Sequence, residues 1–334
     1  MAVSLRQIAE ETGMSIGTVS RVLRGDTMFA KDTTEKIKRV ASELGYRPNL
    51  LVHSLQAGRT KTIGVMLPTN GEFLGRVVDG IHRTLATNDY VPMLLWAEPG
   101  LPELAQIHRL VDRRVDGMIL FTTEDTATDA YLSEIWERKL PAVTIDRRMP
   151  NTHADFVGTD DRLGGQLAAE HLLERGHRKL MHLCARMDIS TSQDRWQGFQ
   201  EVIAKHPDAS VTQVIAPDFP TGFEIARKHF ADNDRPTAVF SGNDFLAFDA
   251  IRAARSLNLS VPEDISILGF ADVSGAAVTS PALTTFRQDP ELIGRTAAQV
   301  VLDRLSGKLK GDEPHVVQFP PELVARASTG PVRT

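Results

Sequence analysis

Beyond residue 60, short apolar segments of the sequence alternate with longer segments of helical periodicity. The apolar segments have the usual length of strands, and they predict strands at 62–67, 92–96, 117–121, 142–145, 179–184, 213–216, 238–241, 266–270 and 316–319. In the segments between them, apolar residues recur at helical spacing and predict helices at 74–88, 102–113, 162–175, 193–205, 222–231, 244–257 and 290–306. Strands that alternate with helices pair in parallel, so the pattern predicts an α/β protein with helices on both faces of its sheets.

The number of predicted strands limits how they can be arranged. Nine strands exceed one compact sheet of the usual size, which has about four to six strands. We therefore predict two doubly wound subdomains that divide near residue 160. The two halves share this layout without an obvious sequence repeat.

The composition is that of an ordinary globular protein. The chain has 334 residues, which predict two or three domains, and its 42% hydrophobic and 24% charged residues are typical values. No apolar run reaches the ~18 residues of a transmembrane helix, and Arg6, Glu10 and Glu11 interrupt any signal-peptide core. We therefore expect a cytoplasmic protein with no membrane partner. The lone Cys184 lies in an apolar run, so we expect a buried structural thiol and no internal disulfide.

The first 25 residues predict two short helices joined by a tight turn. Val19, Val22 and Leu23 recur at helical spacing. Gly13 can adopt the positive φ of a tight turn, and Ser15 is a suitable N-cap for the second helix. The residues facing away from the apolar stripe are Ser15, Ile16, Gly17, Thr18 and Arg21. Such a pair of helices is either a helix-turn-helix, whose second helix enters the DNA major groove, or a helical hairpin that only packs.

A third amphipathic helix, predicted at 33–44, completes a small N-terminal module. Ala30 lacks the hydroxyl of a usual N-cap, so we expect Asp32 or Thr33 to cap this helix. Residues 1–60 hold nine Lys and Arg against six Asp and Glu, a net charge of +3, although the whole chain carries −5. A basic module on an acidic body is typical of a DNA-binding head.

Several segments together resemble a known family. They are VSLRQIAEETGMSIGTVSRVLRG, LGYRPN and SLQAGRTKTIGV near the start, and RRVDGMIL, DFVGTDDRLGGQLAAEHLLERGHRKL, SGNDFLAFDAIRAARSLNLSVPEDISILGFAD and PALTTFRQDP in the rest of the chain. In their order and spacing, over nearly the whole chain, they closely resemble the lactose-repressor (LacI/GalR) family of transcription regulators. This match is far more specific than any single motif.

The resemblance implies a fold and a set of domain boundaries. It implies a helix-turn-helix domain at 1–48, a hinge helix and linker at 49–60, and a periplasmic-binding-protein-like core at 61–330. Each core subdomain would be built from two separate segments, 61–159 with 290–318 and 160–289 with 319–330. The chain would then cross between the subdomains three times, near 159–160, 288–290 and 319–321.

The resemblance also implies a function and a set of partners. The expected protein is a transcriptional repressor whose affinity for a pseudo-palindromic operator is controlled by a sugar or sugar derivative in the core cleft. It would act as a homodimer or a tetramer and would have no cofactor. The positions implied to contact DNA are Ser4, Ser15, Ile16, Gly17, Thr18, Ser20, Arg21, Asn49 and Leu55.

These positions are expected to have different roles. Arg21 can donate two hydrogen bonds to guanine, and Ile16 can contact a thymine methyl group. Ser4, Thr18 and Ser20 are better suited to phosphates, which position the module without reading sequence. Ile16 and its neighbour at position 17 tend to differ between family members and to set operator choice.

The hinge helix shows one departure from the family. Leu55 matches a leucine that is wedged into the DNA minor groove, where an apolar side chain between base steps bends the duplex. Val52 stands where the family usually has alanine. Valine lowers helix propensity by a few tenths of a kcal/mol and is bulkier where two hinge helices should approach closely.

The resemblance implies that ligand contacts lie at the carboxyl ends of the strands, where open α/β sheets bind ligands. The implied residues are Phe73, Asp146, Arg147, Asp160, Arg195, Phe219, Asn243 and Gln288. Asp146 and Arg195 are expected on opposite subdomains, so that one ligand touching both would close the cleft. Asp160 and Asn243 have a helix N-cap as their alternative role, and for Asp244 the cap is the preferred interpretation.

Two departures from the family affect the identity of the ligand. Ala271 stands where the family usually has an aspartate, and Leu74 stands where a second aromatic residue is frequent. With Arg147 and Arg195 retained, the pocket loses negative charge. This favours an anionic ligand such as a sugar acid or sugar phosphate.

Two other classes of protein are weighed against a repressor. An enzyme is disfavoured because the sequence has no nucleotide-binding, nucleophile-elbow or zinc-protease motif, and its ten histidines lack metal-ligand spacing. Asp160 and Asp161 are adjacent, so their side chains should point apart rather than act as an acid–base pair. The alternative is a soluble solute-binding protein with the same core fold, but such a protein would have a signal peptide and no basic head.

Overall fold

The computed structural model of the chain describes residues 3–23, 25–46, 58–68, 71–98, 100–122, 135, 138–149, 154–216 and 221–333. The chain divides into two compact units, Met1–Thr60 and Lys61–Thr334. We call them the head and the core.

The head contains the helices α1 (Leu5–Thr12), α2 (Ile16–Leu23) and α3 (Lys31–Glu43). Ile8, Val19 and Ile37 contribute one fully buried side chain from each helix, and these three form the centre of the hydrophobic cluster of the head. The helical stripes predicted from the sequence are therefore the faces that pack together.

Local interactions set the ends of these helices. Gly13 ends α1 with a φ of 68°, and the hydroxyl of Ser15 accepts a hydrogen bond from the Thr18 amide at 3.0 Å, as predicted for a cap of α2. The predicted cap of α3 is wrong. That helix begins at Lys31, and its N-cap is Ala30, which makes no side-chain hydrogen bond. Because the Thr34 amide already donates to the Ala30 carbonyl at 3.0 Å, helical bonding starts ahead of the expected cap residues.

The core contains two six-stranded sheets. The first sheet has the order β11-β5-β4-β3-β1-β2, and all its strands pair in parallel. Its strands are β1 (Thr62–Leu67), β2 (Val91–Trp96), β3 (Gly117–Leu120), β4 (Ala142–Ile145), β5 (Asp155–Thr159) and β11 (Val316–Phe319). The four inner strands are buried almost throughout, and three of them, β1, β3 and β4, accordingly read as continuous apolar runs.

Helices cover both faces of the first sheet. These helices are α4 (Glu72–Ala86), α5 (Glu103–Val111) and α10 (Pro290–Ser306). The apolar residues of α4 and α10 form one hydrophobic cluster with strand residues on one face of the sheet. The apolar residues of α5 form another cluster with strand residues on the opposite face. We call the first sheet with these helices the first lobe.

The second sheet has the same kind of order, β12-β10-β9-β8-β6-β7. Its strands are β6 (Lys179–Cys184), β7 (Ser210–Ile215), β8 (Ala238–Ser241), β9 (Ser266–Ala271), β10 (Thr284–Arg287) and β12 (Glu322–Val324). Only the edge strand β12 pairs antiparallel with its neighbour among the strands of the two sheets. The predicted fold class, with a helix-turn-helix head and two parallel-sheet subdomains, is confirmed.

The second sheet is also covered on both faces. Its helices are α6 (Asp161–Glu174), α7 (Ser190–Ile203), α8 (Thr221–Phe230) and α9 (Asp244–Ser256). The helices α6 and α7 pack on one face, and α8 and α9 pack on the other. We call the second sheet with these helices the second lobe. The chain passes between the lobes after β5, after β10 and after β11.

The sequence does not predict three of the strands, β5, β10 and β12. Each is three to five residues long and contains polar residues or glycine, as in DFVGT, TTFR and ELV. Strand β5 becomes regular because it lies between β4 and β11, which satisfy its backbone on both sides. The strand conformation of β5 therefore depends on pairing with β4 and β11 rather than on its local composition.

Glycines let helices approach closely in both lobes. A Cβ atom at Gly80 of α4 would overlap the carbonyl oxygen of Glu291, and one at Gly294 of α10 would overlap that of Val77. In the second lobe, Gly165 of α6 and Gly198 of α7 face carbonyl oxygens of the opposite helix in the same way. The two lobes therefore use the same device to pack their helix pairs.

We predict that Gly80→Ala destabilises the core and that Gly75→Ala does not. A methyl group at Gly80 meets backbone atoms of α10, and overpacking of this kind costs about 1–3 kcal/mol or more. Gly75 lies in the same helix with open space around it, so alanine there should add up to about 1 kcal/mol through helix propensity. Tryptophan fluorescence in a denaturant titration reports on the core, because all three tryptophans belong to it. Equal stabilities of the two variants would contradict the prediction.

Candidate functional site

The first candidate site is the outer face of α2. Val19 and Val22 of this helix are buried, whereas Ser15, Ile16, Gly17 and Arg21 are exposed and Thr18 and Ser20 are partly exposed. Ile16 is 49% exposed, although it is a large apolar residue. The face predicted to point away from the apolar stripe therefore lies at the surface.

Arg21 is held in place by two neighbours. Its guanidinium pairs with Asp26 at 2.8 Å and lies over the ring of Phe29, with 5.1 Å to the centroid. The side chain of Arg21 is still 49% exposed. A side chain that is oriented beforehand loses less entropy when it binds a ligand.

The other head residues predicted to contact DNA have different positions. Ser4 forms a capping box with Gln7 at the start of α1, so its hydroxyl has a structural role in the head. Asn49 and Leu55, with the departure at Val52, lie outside the described residues.

The second candidate site lies at the carboxyl ends of the strands of the core. Arg195, in the second turn of α7, donates from Nε and Nη2 to the Asp161 carboxylate at 2.7 Å. Its Nη1 donates to the Gly242 carbonyl at 2.6 Å, and its guanidinium lies 3.8 Å from the centroid of the Phe270 ring. The Arg195 side chain is 10% exposed and that of Asp161 is 3% exposed, so the ion pair is buried.

Asp161 was not among the predicted ligand residues. Burial raises its pKa to about 7, although Arg195 lowers it. The sequence offers no signal for this pairing except that Asp161 begins a helix beside a second aspartate. As expected, the adjacent side chains point apart, because the Asp160 carboxylate caps α6 by accepting from the Leu163 amide at 3.0 Å.

Asp146 and Arg147 follow β4 in the first lobe. Burial raises the pKa of Asp146, and the charges of Arg147 and Arg195 oppose this rise. The charge of Arg195 in the second lobe therefore reaches Asp146 in the first lobe. This is the arrangement expected of a cleft between the lobes.

Arg147 differs from Arg195 in its partners. Among the described residues, no carboxylate is hydrogen-bonded to the Arg147 guanidinium. Its Nη1 donates to the Thr122 carbonyl at 3.2 Å, and its guanidinium lies 4.9 Å from the centroid of the Phe121 ring. Its Nε is buried and has no hydrogen-bond partner in the part of the chain that the structure describes. Burial lowers the pKa of Arg147, against the attraction of Asp146. A buried donor left unpaired is costly, so this side chain is suited to an incoming acceptor.

The structure shows which of Asn243 and Asp244 is the N-cap of α9. Asn243 caps α9 by accepting from the Leu246 amide at 2.9 Å. The preferred interpretation of Asp244 as the cap is wrong. Asp244 is fully buried and accepts hydrogen bonds from the Thr285 hydroxyl at 2.6 Å and from the Val273 amide at 2.9 Å.

The remaining predicted ligand residues are dispersed. Gln288 is buried and donates to the Thr159 hydroxyl at 2.8 Å, which joins the two crossovers. Phe73 packs against the hydrophobic cluster of the first lobe. Phe219 lies outside the described residues. Asp146 is therefore the predicted ligand residue on which the charges of two others, Arg147 and Arg195, act.

Several features bear on other kinds of site. Among the described residues, no group of three or more His, Cys, Asp and Glu side chains is placed to hold a metal ion. Within the same residues, no helix is long and apolar enough to span a membrane. Cys184 is buried, and burial raises its pKa to about 11, as expected for a structural thiol.

Comparison with known proteins adds a family context. A model described as "Bacterial regulatory proteins, lacI family" matches residues 4–49, and one described as "Periplasmic binding protein-like domain" matches residues 169–329. The HTH-type transcriptional repressor PurR of Pectobacterium atrosepticum is 31% identical over 340 residues, which cover 99% of this chain and 98% of the relative.

Solved structures agree with this comparison. A lac repressor dimer bound to operator and the anti-inducer ONPF has a TM-score of 0.88 and 25% identity, covering 99% of this chain and all of the other. A complex of the transcriptional regulator CelR with cellobiose has a TM-score of 0.71 and 27% identity, covering 98% of this chain and 99% of the other.

We predict that Arg195→Met destabilises the core by about 3–5 kcal/mol above about pH 7, because the variant loses the buried ion pair with Asp161. The double variant Arg195→Met, Asp161→Asn should recover much of that loss. Arg162→Met is the matched control, since Arg162 pairs with Glu201 between the same two helices but at the surface, and it should change stability little. Denaturant unfolding of all three variants is the measurement.

The loss caused by Arg195→Met should also depend on pH. Below about pH 7, Asp161 is protonated in both folded proteins, so the loss is smallest there. Without Arg195 the pKa of Asp161 rises further. As the pH rises above about 7, wild-type Asp161 ionises and pairs while the variant stays protonated, so the gap in stability should widen up to the pKa of the variant. A gap that is constant between about pH 6 and about pH 9 would show that Asp161 does not titrate in this range.

Proposed function

The chain belongs to the LacI family of bacterial regulatory proteins, and from this premise we propose that it is a ligand-controlled transcriptional repressor. The observation that carries the proposal is the exposed face of α2 on a helix-turn-helix head. A short helix that leaves a large apolar residue and an arginine at the surface is suited to the edges of bases in the major groove. The PurR relative is named a transcriptional repressor, and the similar lac repressor structure is bound to operator.

The DNA-binding roles follow from the chemistry of the head. Arg21 reads guanine, and Ile16 meets a thymine methyl group, with Gly17 allowing close approach of the helix. Thr18, Ser20 and Ser4 donate to phosphates. Asn49 and Leu55 belong to the segment that resembles the family hinge, so we assign them to the minor groove.

The proposal includes a homodimer. The lac repressor structure named above is a dimer, and a pseudo-palindromic operator is read by two heads related by symmetry. Val91, Leu94 and Trp96 of the edge strand β2 are exposed large apolar side chains, as are Phe245 and Val278 in the second lobe. A second copy of the chain would cover such surfaces.

The ligand is proposed to be a sugar acid or a sugar phosphate. The CelR structure holds cellobiose, so carbohydrates occupy at least one similar protein. In this chain Ala271 provides no carboxylate, and Arg195 already donates to Asp161. Across the residues that the structure describes, the buried Nε of Arg147 has no hydrogen-bond partner. An anionic group on the ligand would pair with Arg147.

The similar proteins are regulators, and the proposed activity needs no catalytic step. We assign no cofactor to the protein. A bacterial regulator must reach operator DNA, which is in the cytoplasm, so we place the protein there.

We predict that Arg21→Ala weakens specific DNA binding by about 1–3 kcal/mol. The duplex is one selected by the wild-type protein from a random library, and a scrambled duplex of the same composition reports non-specific binding. Arg39→Ala, which removes the same charge from the exposed face of α3, should affect both duplexes alike. If Arg21→Ala also weakens binding to the two duplexes equally, Arg21 does not read bases.

We predict that sugar acids or sugar phosphates raise the melting temperature of the protein and that their neutral parent sugars do so less. Arg147→Met should remove the difference between the two classes. Arg76→Met, an arginine of the exposed face of α4, should keep it. Equal stabilisation of wild type by charged and neutral sugars would contradict the anionic ligand while leaving the repressor proposal intact.

A further inference from the structure

A direct contact joins the two lobes without using any of the predicted ligand residues. Glu72 is the first residue of α4, in the first lobe, and Ser274 begins a short 3-10 helix, Ser274–Ala277, after β9 in the second lobe. The Ser274 amide donates to the two carboxylate oxygens of Glu72 at 3.0 and 3.2 Å, and the Ser274 hydroxyl donates at 2.8 Å. Hydrogen bonds to a charged acceptor are the stronger kind.

The turn that presents Ser274 has an unusual backbone. Ala271 has a φ of 133° and Asp272 a φ of 55°, which residues with a Cβ seldom adopt. Strain of this kind persists only where the surroundings hold it in place. Here Asp272 pairs with Arg287 at 2.8 Å and with Arg326 at 2.6 Å.

Hydrogen bonds to a buried carboxylate also hold this turn in place. The amide of Val273 donates to the buried Asp244 carboxylate, which also accepts from the Thr285 hydroxyl. The turn is therefore a rigid part of the second lobe. The turn offers the amide and the hydroxyl of Ser274 to the other lobe, and Ala271 adds no carboxylate to it.

A second contact joins the lobes at a different place. Arg148, which follows β4 in the first lobe, pairs with Asp194 of α7, and its amide donates to the Ser190 hydroxyl at 2.9 Å. The two lobes are thus held by polar contacts that involve no ligand.

We propose that Glu72 and the turn 271–274 form a latch that ties the lobes together before any effector binds. The latch adds free energy to the arrangement in which the lobes touch, so it sets the population of that arrangement in the ligand-free protein. An effector then needs less differential affinity to complete the shift. This inference rests on the proposed function, since it concerns regulation of the same cleft.

Hydrogen exchange of the ligand-free, full-length protein tests the latch. We expect Glu72→Ala to speed exchange of the Ser274 amide about tenfold, because a hydrogen bond to a charged group contributes about that factor or more. In Glu72→Gln, which keeps one acceptor oxygen, the exchange rate of the Ser274 amide should lie between those of the wild type and Glu72→Ala. Asp79→Ala is the control, since it removes a carboxylate from the exposed face of the same helix. The thermal midpoint checks that each variant is folded.

A distance measurement gives the second readout. Spin labels at Arg76→Cys in the first lobe and Lys228→Cys in the second report the separation of the lobes, with labelled chain diluted in excess unlabelled chain. The native Cys184 is buried and stays unlabelled. Glu72→Ala should broaden the distribution or shift it to longer distances, and Asp79→Ala should leave it unchanged.

The outcomes separate the latch from the proposed function. Unchanged exchange at Ser274 and an unchanged distance distribution in Glu72→Ala would overturn the latch. Neither readout involves DNA, so a wild-type protein that selects no duplex would refute the repressor and leave the latch in place.

Discussion

Parallel pairing of strands is the constraint on which the rest of this structure depends. Parallel neighbours cannot be joined by a tight turn, so the chain must cross over the sheet between them, and most of these crossovers contain a helix. The helices then cover both faces, and most of the inner strands are buried on both sides. Pairing in parallel also brings the carboxyl ends of the strands to one edge of each sheet. Asp146, Arg147 and the turn that carries Ser274 all follow such ends, which is why groups distant in sequence meet there.

Three connections between the lobes turn two similar sheets into one core. Each sheet takes its last strand from a late segment of the chain, β11 in one and β12 in the other. Movement of one lobe relative to the other must therefore act through a few crossover residues and through the side chains that bridge the cleft. Gln288 at one crossover already bonds to Thr159 at another. Arg195 pairs with Asp161 inside the second lobe, and its charge also reaches Asp146 in the first lobe.

How far the site could be predicted depended on how far apart in sequence the interacting residues are. The exposed face of α2 follows from a helical repeat within eight residues, and its capping serine lies three residues from its partner. The choice between Asn243 and Asp244 as a cap depends on which side chain finds a partner elsewhere. Asp244 is drawn into the lobe by Thr285 and Val273, residues that the sequence places far away. The pairing of Asp161 with Arg195 is hidden for the same reason.

The sequence by itself determined the order of the helices, most strands, the separation of a basic head from an acidic core, and the family. These are encoded by periodicity, charge and motif order, which act over short stretches or over the whole chain at once. Only the tertiary structure decided the strands β5, β10 and β12, the glycine contacts between helices, the buried ion pair and the contact of Glu72 with Ser274. Each of these needs two segments to meet, and their free energy comes from burial and pairing that no single segment possesses.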